Sequence, residues 1–276
     1  MRSILLSVVA LGLAVAAGLP LIHRHHGATP ASTRITADTL TTAMSADTLT
    51  SGVHSYPGDE GQVLKSATHD LSLLDIRTFS IAPNQQLNPS SLPDSADNLL
   101  IVKEGHVIID SHDSITGLGP GGVALFNAGV RYSVRAASTS AAVFYLFRFR
   151  SRSPEDSSRA GQALGHYPFL LDWRNMKMQP TPKGESRQIF SQPTPWLTKI
   201  DMHATTLNPG EVSHLPHIHR AEEIILMRSG HVQMYINGQH YPAAGGDLVF
   251  LASGNPHALE NTGKERCEYF ALQWQQ

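Results

Sequence analysis

The sequence predicts an all-β protein built from two tandem copies of one β-unit, a sandwich or a barrel. Two observations lead to this prediction: short apolar or alternating runs recur from Leu71 to the C-terminus, and the chain resembles itself at a constant offset. Glycine, proline, asparagine and aspartate separate the runs, as expected for strands joined by turns. The clearest runs are Leu99–Lys103, Val123–Asn127, Ala142–Arg148, Glu223–Met227, His231–Ile236, Asp247–Leu251 and Tyr269–Trp274.

The internal repeat has an offset of 125 residues. Gly105, Gly121 and Gly129 correspond to Gly230, Gly246 and Gly254 in this register. With an adjustment of one residue, Ala82-Pro83-Asn84 corresponds to Asn208-Pro209-Gly210. Because a gap-free repeat over several turns indicates two copies of one structural unit, we expect barrels at 61–150 and 186–276, joined by a linker at 151–185.

The N-terminus has the residue order of a secretory signal peptide. Arg2 precedes an apolar run from Ile4 to Gly18 that ends in small residues. The run is shorter than the roughly 20 residues of a spanning helix, although Leu19–Ile22 could extend it into an uncleaved anchor. We expect a cleaved signal at 1–20, a flexible leader at 21–60 that is rich in serine and threonine, and export to the periplasm or the cell exterior. No membrane partner is expected after cleavage.

Composition excludes several classes of function. The 276 residues carry a formal net charge of -2, and 41% of them are hydrophobic. No basic face for nucleic acid is indicated. Cys267 is the single cysteine, so an internal disulfide, a cysteine-based zinc site and an iron–sulfur cluster are all excluded. We therefore expect a small molecule, and not a nucleic acid, as the partner.

Metal-binding residue types cluster in the second copy. His217 and His219 would project from one face of a strand, because side chains alternate with period two. Glu223 follows a predicted turn at 220–221, and His257 follows the turn signal Gly254-Asn255-Pro256. Three imidazoles and one carboxylate on one side of a six-coordinate ion leave two adjacent positions open, as in metal sites that bind oxygen or substrate.

These spacings resemble the two motifs of the cupin superfamily. The first runs from Gly210 through His217-x-His219-x3-Glu223 to Gly230, and the second from Gly246 through Gly254 and His257 to Asn261. Ala252 stands where the family usually has proline, and one extra residue separates Gly210 from His217; neither departure removes a ligand.

The chain is identified as a two-domain cupin, a bicupin with jelly-roll-like barrels. The resemblance implies one divalent metal ion inside the C-terminal barrel, held by His217, His219, Glu223 and His257. Manganese or iron is the expected ion, with nickel, zinc, copper and cobalt as alternatives. Cupin barrels often pair through outer strands, so a homodimer is compatible with the resemblance.

The first copy lacks this set of ligands. In the repeat register, the two motif histidines and the glutamate correspond to Leu92, Asp94 and Asn98, and the last histidine corresponds to Tyr132. Leucine and tyrosine cannot replace two imidazoles. We therefore expect a first barrel that binds no metal.

The sequence also predicts where the side chains of five further residues lie. His214 is predicted to be a surface-loop histidine, and Glu222 to point away from the ligands by strand alternation. The barrel interior is expected to receive His203, Tyr235 and Gln273.

The resemblance leaves the reaction open. It implies a metal-dependent enzyme of the dioxygenase or decarboxylase type that acts on a small anionic substrate. The alternatives are an aminohydrolase or isomerase that resembles ureidoglycine aminohydrolase, and a non-catalytic cupin that binds a small molecule. The sequence identifies no catalytic acid or base at the open metal positions.

Overall fold

The computed structural model describes residues 48–89, 96–111, 114–137, 140–153, 168–194 and 196–276. Strands dominate these ranges, and the helical structure within them is one short 3-10 turn at Trp173–Asn175. Within the same ranges, no helix has the length and hydropathy needed to cross a lipid bilayer. The all-β prediction is confirmed, while the predicted signal at 1–20 and most of the leader lie outside the described residues.

Twenty strands lie in the described residues. The first ten are β1 (Gly52–His54), β2 (Gly61–Ser66), β3 (Leu71–Ile81), β4 (Gln86–Leu87), β5 (Asp97–Glu104), β6 (Val107–Ser111), β7 (Ser114–Leu118), β8 (Val123–Phe126), β9 (Tyr132–Ala136) and β10 (Ala142–Ser151). The other ten are β11 (Phe169–Leu171), β12 (Met178–Thr181), β13 (Gly184–Gln192), β14 (Lys199–Leu207), β15 (Glu222–Ser229), β16 (His231–Ile236), β17 (Gln239–Ala244), β18 (Leu248–Leu251), β19 (His257–Asn261) and β20 (Cys267–Gln275).

The strands form two barrels of two sheets each. The first barrel combines the sheets β11-β8-β5-β10-β3-β2 and β4-β9-β6-β7, and the second combines β1-β18-β15-β20-β14-β13-β12 and β17-β16-β19. One apolar cluster fills each barrel between its two sheets. A third, larger cluster contains residues of both barrels, so the two large sheets pack face to face. Because both faces of these sheets are buried, strands such as β10 and β15 are apolar along most of their length.

The structure reproduces the sequence repeat strand by strand. Strands β5 to β10 correspond to β15 to β20 in the 125-residue register. Gly105 and Gly230 both adopt positive φ, at 72° and 84°. A Cβ on Gly105 would lie 2.9 Å from the Cα of Ala142, and one on Gly230 would lie 2.7 Å from the Cα of Cys267. Both turns therefore require glycine for the same reason, a close backbone approach in the left-handed region.

Two short strands that lie outside the predicted barrel ranges pair with strands inside those ranges. Strand β1, in the segment predicted as leader, pairs with β18 of the second barrel. Strand β11, in the segment predicted as linker at 151–185, pairs with β8 of the first. Strand β12 and the start of β13 also fall in that linker range. Strands β1 and β11 pair with partners distant in sequence, so no local period marks them, whereas β12 and β13 pair with each other as a local hairpin.

Candidate metal centre

The predicted ligands converge at the mouth of the second barrel. The ligand nitrogens of His217, His219 and His257 all lie within 4.8 Å of one another. Glu223 Oε2 lies 3.1 Å from His219 Nε2 and 3.4 Å from His257 Nε2. Among the described residues, the three histidines form the group of histidine, cysteine and acidic side chains whose spacing could hold a metal ion, and Glu223 lies beside two of them.

Two strands position the buried half of this group. Glu223 lies near the start of β15, where it is paired with Leu251 of β18 and Gln273 of β20 in the middle of the large sheet. His257 begins β19. Both side chains are buried, with 5% and 3% of their surface exposed. These two groups therefore lie on the two different sheets of the second barrel and are largely shielded from water.

The other two histidines lie on a segment without regular strand structure, which corrects the prediction of a strand for His217-x-His219. The segment is bonded to the start of β19 instead. His217 N donates to His257 O at 3.2 Å, and His257 N donates to His217 O at 3.1 Å. Gly254 N donates to His219 O at 2.9 Å. Two isolated bridges to β19, Val212 with Glu260 and His217 with His257, and the bond from Gly254 to His219 take the place of a continuous ladder.

Backbone carbonyls orient two of the imidazoles. His219 Nδ1 lies 2.8 Å from Ala221 O, and His257 Nδ1 lies 2.8 Å from Asn255 O. Because a carbonyl oxygen only accepts, each Nδ1 carries a hydrogen and each Nε2 faces the other ligands. His257 Nε2 is buried without a hydrogen-bond partner. A buried lone pair aimed at a carboxylate and two further imidazoles fits a divalent cation, so the donor set suits the predicted metal.

The charges of the site are coupled. Burial raises the pKa of Glu223, but its hydrogen bond to His219 and its contact with His257 outweigh burial and lower the pKa to about 2. The bond to Glu223 raises the pKa of His219. Burial, together with the neighbouring histidines, lowers the pKa of His217. Glu223 and His219 therefore each favour the charged form of the other.

His214 lies closer to the site than predicted. Its side chain is exposed, as expected, but its ring centroid lies 4.0 Å from that of His217 and 6.0 Å from that of His257. The ring also lines the cavity beside the ligands. Its position three residues before the first ligand was the available signal, but the irregular path of the segment could not be inferred from the sequence.

A cavity of about 390 Å³ opens beside the ligands. His203 and Gln273 line it as predicted, whereas Tyr235 does not. Tyr235 packs against His240, with ring centroids 5.5 Å apart, because its neighbour Met234 takes the inward position on β16. The prediction for Tyr235 was therefore on the wrong face of the strand.

Glu222 points to the opposite face of β15, as predicted, and is fully buried between the barrels. Its carboxylate accepts hydrogen bonds from Thr68 Oγ1 at 2.5 Å and from Trp274 Nε1 at 3.0 Å. The backbone N–H groups of His69 and Asp70 donate at 2.9 and 3.1 Å. The sequence contains no signal for this role, because three of the four donors lie about 150 residues away in the first barrel.

The equivalent region of the first barrel is filled by side chains. Tyr132, at the position of the last histidine, stacks on Phe126 with ring centroids 3.7 Å apart. Asn98, at the position of the glutamate, is buried and donates to Ala96 O. Leu92 and Asp94 lie outside the described residues. No metal-holding group occurs in the described part of this barrel.

Comparison with known proteins supports the two-barrel description. Residues 203–272 match the cupin domain family, and no curated protein matches the sequence. AerE from Microcystis aeruginosa superposes with a TM-score of 0.61 at 11% identity, over 84% of this chain and 100% of that chain. A mutant oxalate decarboxylase from Bacillus subtilis superposes with a TM-score of 0.60 at 14% identity, over 83% and 78%.

A further structure, the formate complex of Lactobacillus farciminis oxalate decarboxylase, superposes with a TM-score of 0.59 at 14% identity, over 83% of this chain and 87% of that chain. At these identities the likeness concerns the fold. The sequence match adds the cupin domain that contains the four converging side chains. Residues 203–272 therefore form a cupin domain, and the chain has a two-barrel fold similar to that of the oxalate decarboxylases.

Proposed function

We propose that this protein is a metal-dependent enzyme of the dioxygenase or decarboxylase type that acts on a small anionic substrate. One divalent ion, manganese or iron, would be held by His217, His219, Glu223 and His257. The observation that carries the proposal is the convergence of three imidazoles within 4.8 Å and a buried carboxylate beside them.

The surroundings of the site favour a reacting centre over a structural ion. Structural sites are normally closed by protein ligands, whereas this group borders a cavity of about 390 Å³. Three neutral imidazoles and one carboxylate around a divalent ion leave a net positive charge, which attracts an anion. Such an ion supplies Lewis-acid polarisation of a substrate oxygen.

The chain's own residues would prepare this chemistry. The carbonyls of Ala221 and Asn255 fix the orientation of two imidazoles. Glu223, held in the central part of a sheet, supplies the negative charge. A substrate that displaces water from the apolar part of the cavity wall would strengthen electrostatic interactions inside the cavity. Two of the similar solved structures are oxalate decarboxylases, and this likeness supports the proposed reaction type only by analogy of fold.

Metal content tests the proposal directly. We expect about one manganese or iron ion per chain in the purified wild type, and loss of that ion in His219→Ala, because three remaining ligands hold a divalent ion much less tightly. His231→Ala, which removes an exposed histidine on β16, is the matched control and should keep its metal. The measurement is plasma mass spectrometry on all three proteins.

Two outcomes would contradict the proposal. One is full metal content in His219→Ala, and the other is no metal in the wild type after reconstitution with manganese or iron. If metal is bound, oxygen uptake and carbon dioxide release with carboxylate and phenolic compounds separate the dioxygenase type from the decarboxylase type.

A further inference from the structure

The cavity beside the ligands is large for a very small substrate. Its volume of about 390 Å³ falls within the range of about 300 to 1,000 Å³ typical of sites for larger organic molecules. A dianion of few atoms, such as oxalate, would leave most of this space to water. The size of the cavity therefore indicates a substrate with a substantial body.

The deep wall of the cavity is apolar. It is formed by inward-facing side chains of the second barrel's core, which are Leu207, Ile225, Met234, Leu251, Leu259 and Ala271. An apolar body placed against this wall would release water from both surfaces, with a gain of about 25 cal/mol per Å² buried. A fully charged, compact ligand gains nothing from such a wall.

The mouth of the cavity carries a positive charge from Lys183. This residue lies in the turn between β12 and β13 and lines the cavity. Its Nζ donates to Val212 O at 2.6 Å and to Ser213 O at 3.2 Å. An ammonium group has three N–H donors, so one remains for a ligand. No carboxylate of the described residues forms an ion pair with Lys183, so its charge stays uncompensated.

The acidic residue at the same mouth is neutralised. Glu185 lines the cavity, but Arg187 and Arg266 contact its carboxylate at 3.2 and 3.1 Å. A negatively charged ligand therefore meets the Lys183 ammonium without an opposing free carboxylate. Together with the positive charge expected at the metal, this arrangement favours anions at the mouth.

We propose that the substrate is an amphipathic organic anion, with an aromatic or aliphatic body against the apolar wall and a carboxylate or phenolate near Lys183. Lys183 is then a specificity-determining residue for the anionic group. This inference rests on the proposed function, because it concerns the substrate of the same site.

Binding of model compounds tests the inference. The probes are 3-phenylpropanoate, its neutral amide, octanoate and oxalate, titrated calorimetrically into the full chain with its metal content measured in the same samples. In the wild type we expect 3-phenylpropanoate to bind about tenfold more tightly than the amide, because a charge-assisted hydrogen bond to an ammonium is lost in the amide. Lys183→Met should lower that ratio several-fold, to the part that the metal ion alone supplies, and Lys183→Arg should keep it.

Lys177→Met is the matched control, since Lys177 is exposed just before β12 and does not line the cavity. An unchanged ratio in Lys183→Met, oxalate binding as tightly as 3-phenylpropanoate, or failure of both 3-phenylpropanoate and octanoate to bind would each overturn the inference. Absence of metal would instead contradict the proposed function, and the ratio in the metal-free protein would still test the role of Lys183.

Discussion

At the scale of single residues, Glu223 and His219 are groups of opposite charge that lie next to each other in the candidate centre. Glu223 is buried, and burial raises the pKa of a carboxyl. Its hydrogen bond to His219 and its contact with His257 outweigh that effect and bring the pKa to about 2. The same contact raises the pKa of His219 above 6.5. In the metal-free protein, the two residues therefore form an ion pair that stabilises the fold.

We expect this pair to make the stability of the metal-free protein depend on pH. The contribution of Glu223 is present above its unfolded pKa of 4.5 and is lost as the pH falls towards about 2. The contribution of His219 is complete below its unfolded pKa of 6.5 and is lost as the pH rises through its raised folded pKa. The pair therefore stabilises most between pH 4.5 and 6.5.

Urea unfolding of metal-free wild type and His219→Ala across a pH series measures this effect. The difference between the two free energies of unfolding should be largest inside that window and should shrink on both sides. A difference that stays flat across the titration would contradict the ion pair.

At the scale of secondary-structure elements, two turns of the second barrel differ in the space that they leave beside a glycine. Gly230 joins β15 to β16, and Gly238 joins β16 to β17. Their φ angles are nearly equal, at 84° and 81°, but a Cβ on Gly230 would lie 2.6 Å from the Cβ of Cys267, whereas one on Gly238 would meet nothing within 4 Å. The two glycines thus separate backbone strain from steric overlap.

We expect Gly238→Ala to lower the free energy of unfolding by about 1 kcal/mol, the cost of a left-handed alanine. Gly230→Ala adds overpacking against β20 and should lower it by about 3 kcal/mol. Chemical denaturation of both variants provides the comparison. Equal losses would show that the close approach to Cys267 has no energetic consequence.

At the scale of the whole molecule, the interface between the barrels contains a buried carboxylate within an apolar cluster. Glu222 accepts hydrogen bonds from Thr68, His69 and Asp70 of the first barrel and from Trp274 of the second. A buried charge of this kind is tolerated only when its oxygen atoms are fully hydrogen-bonded. The bonds therefore tie the first barrel to the strand that carries Glu223.

Glu222→Gln should lower the free energy of unfolding by about 2 kcal/mol, because an amide NH₂ would face at least one backbone N–H and leave buried donors unpaired. Glu260→Gln, on the exposed face of β19, is the control and should change stability by less than about 0.5 kcal/mol. Urea denaturation measures both. A loss in Glu222→Gln no larger than that in the control would show that the carboxylate does not bind the barrels together.

Much of the site could be predicted from local patterns. The spacing of His217, His219, Glu223 and His257 reflects short turns and strand starts, which depend on neighbours in the chain. Glu222 and Glu223 point to opposite faces for the simple reason that strand side chains alternate. The same rule was insufficient for Tyr235, since it gives the alternation of β16 but not which set of residues faces inward.

Strand content, turns and the repeat could be predicted from residue order, because glycine positions and apolar periods express local backbone geometry. The pairing of β1 with β18 and of β11 with β8 could not be, and neither could the burial of Glu222 or the approach of Lys183 to the loop that carries His217. These contacts join segments far apart in sequence. They form only when the chain folds into closed and packed barrels, and the residues involved carry no periodic mark of their partners.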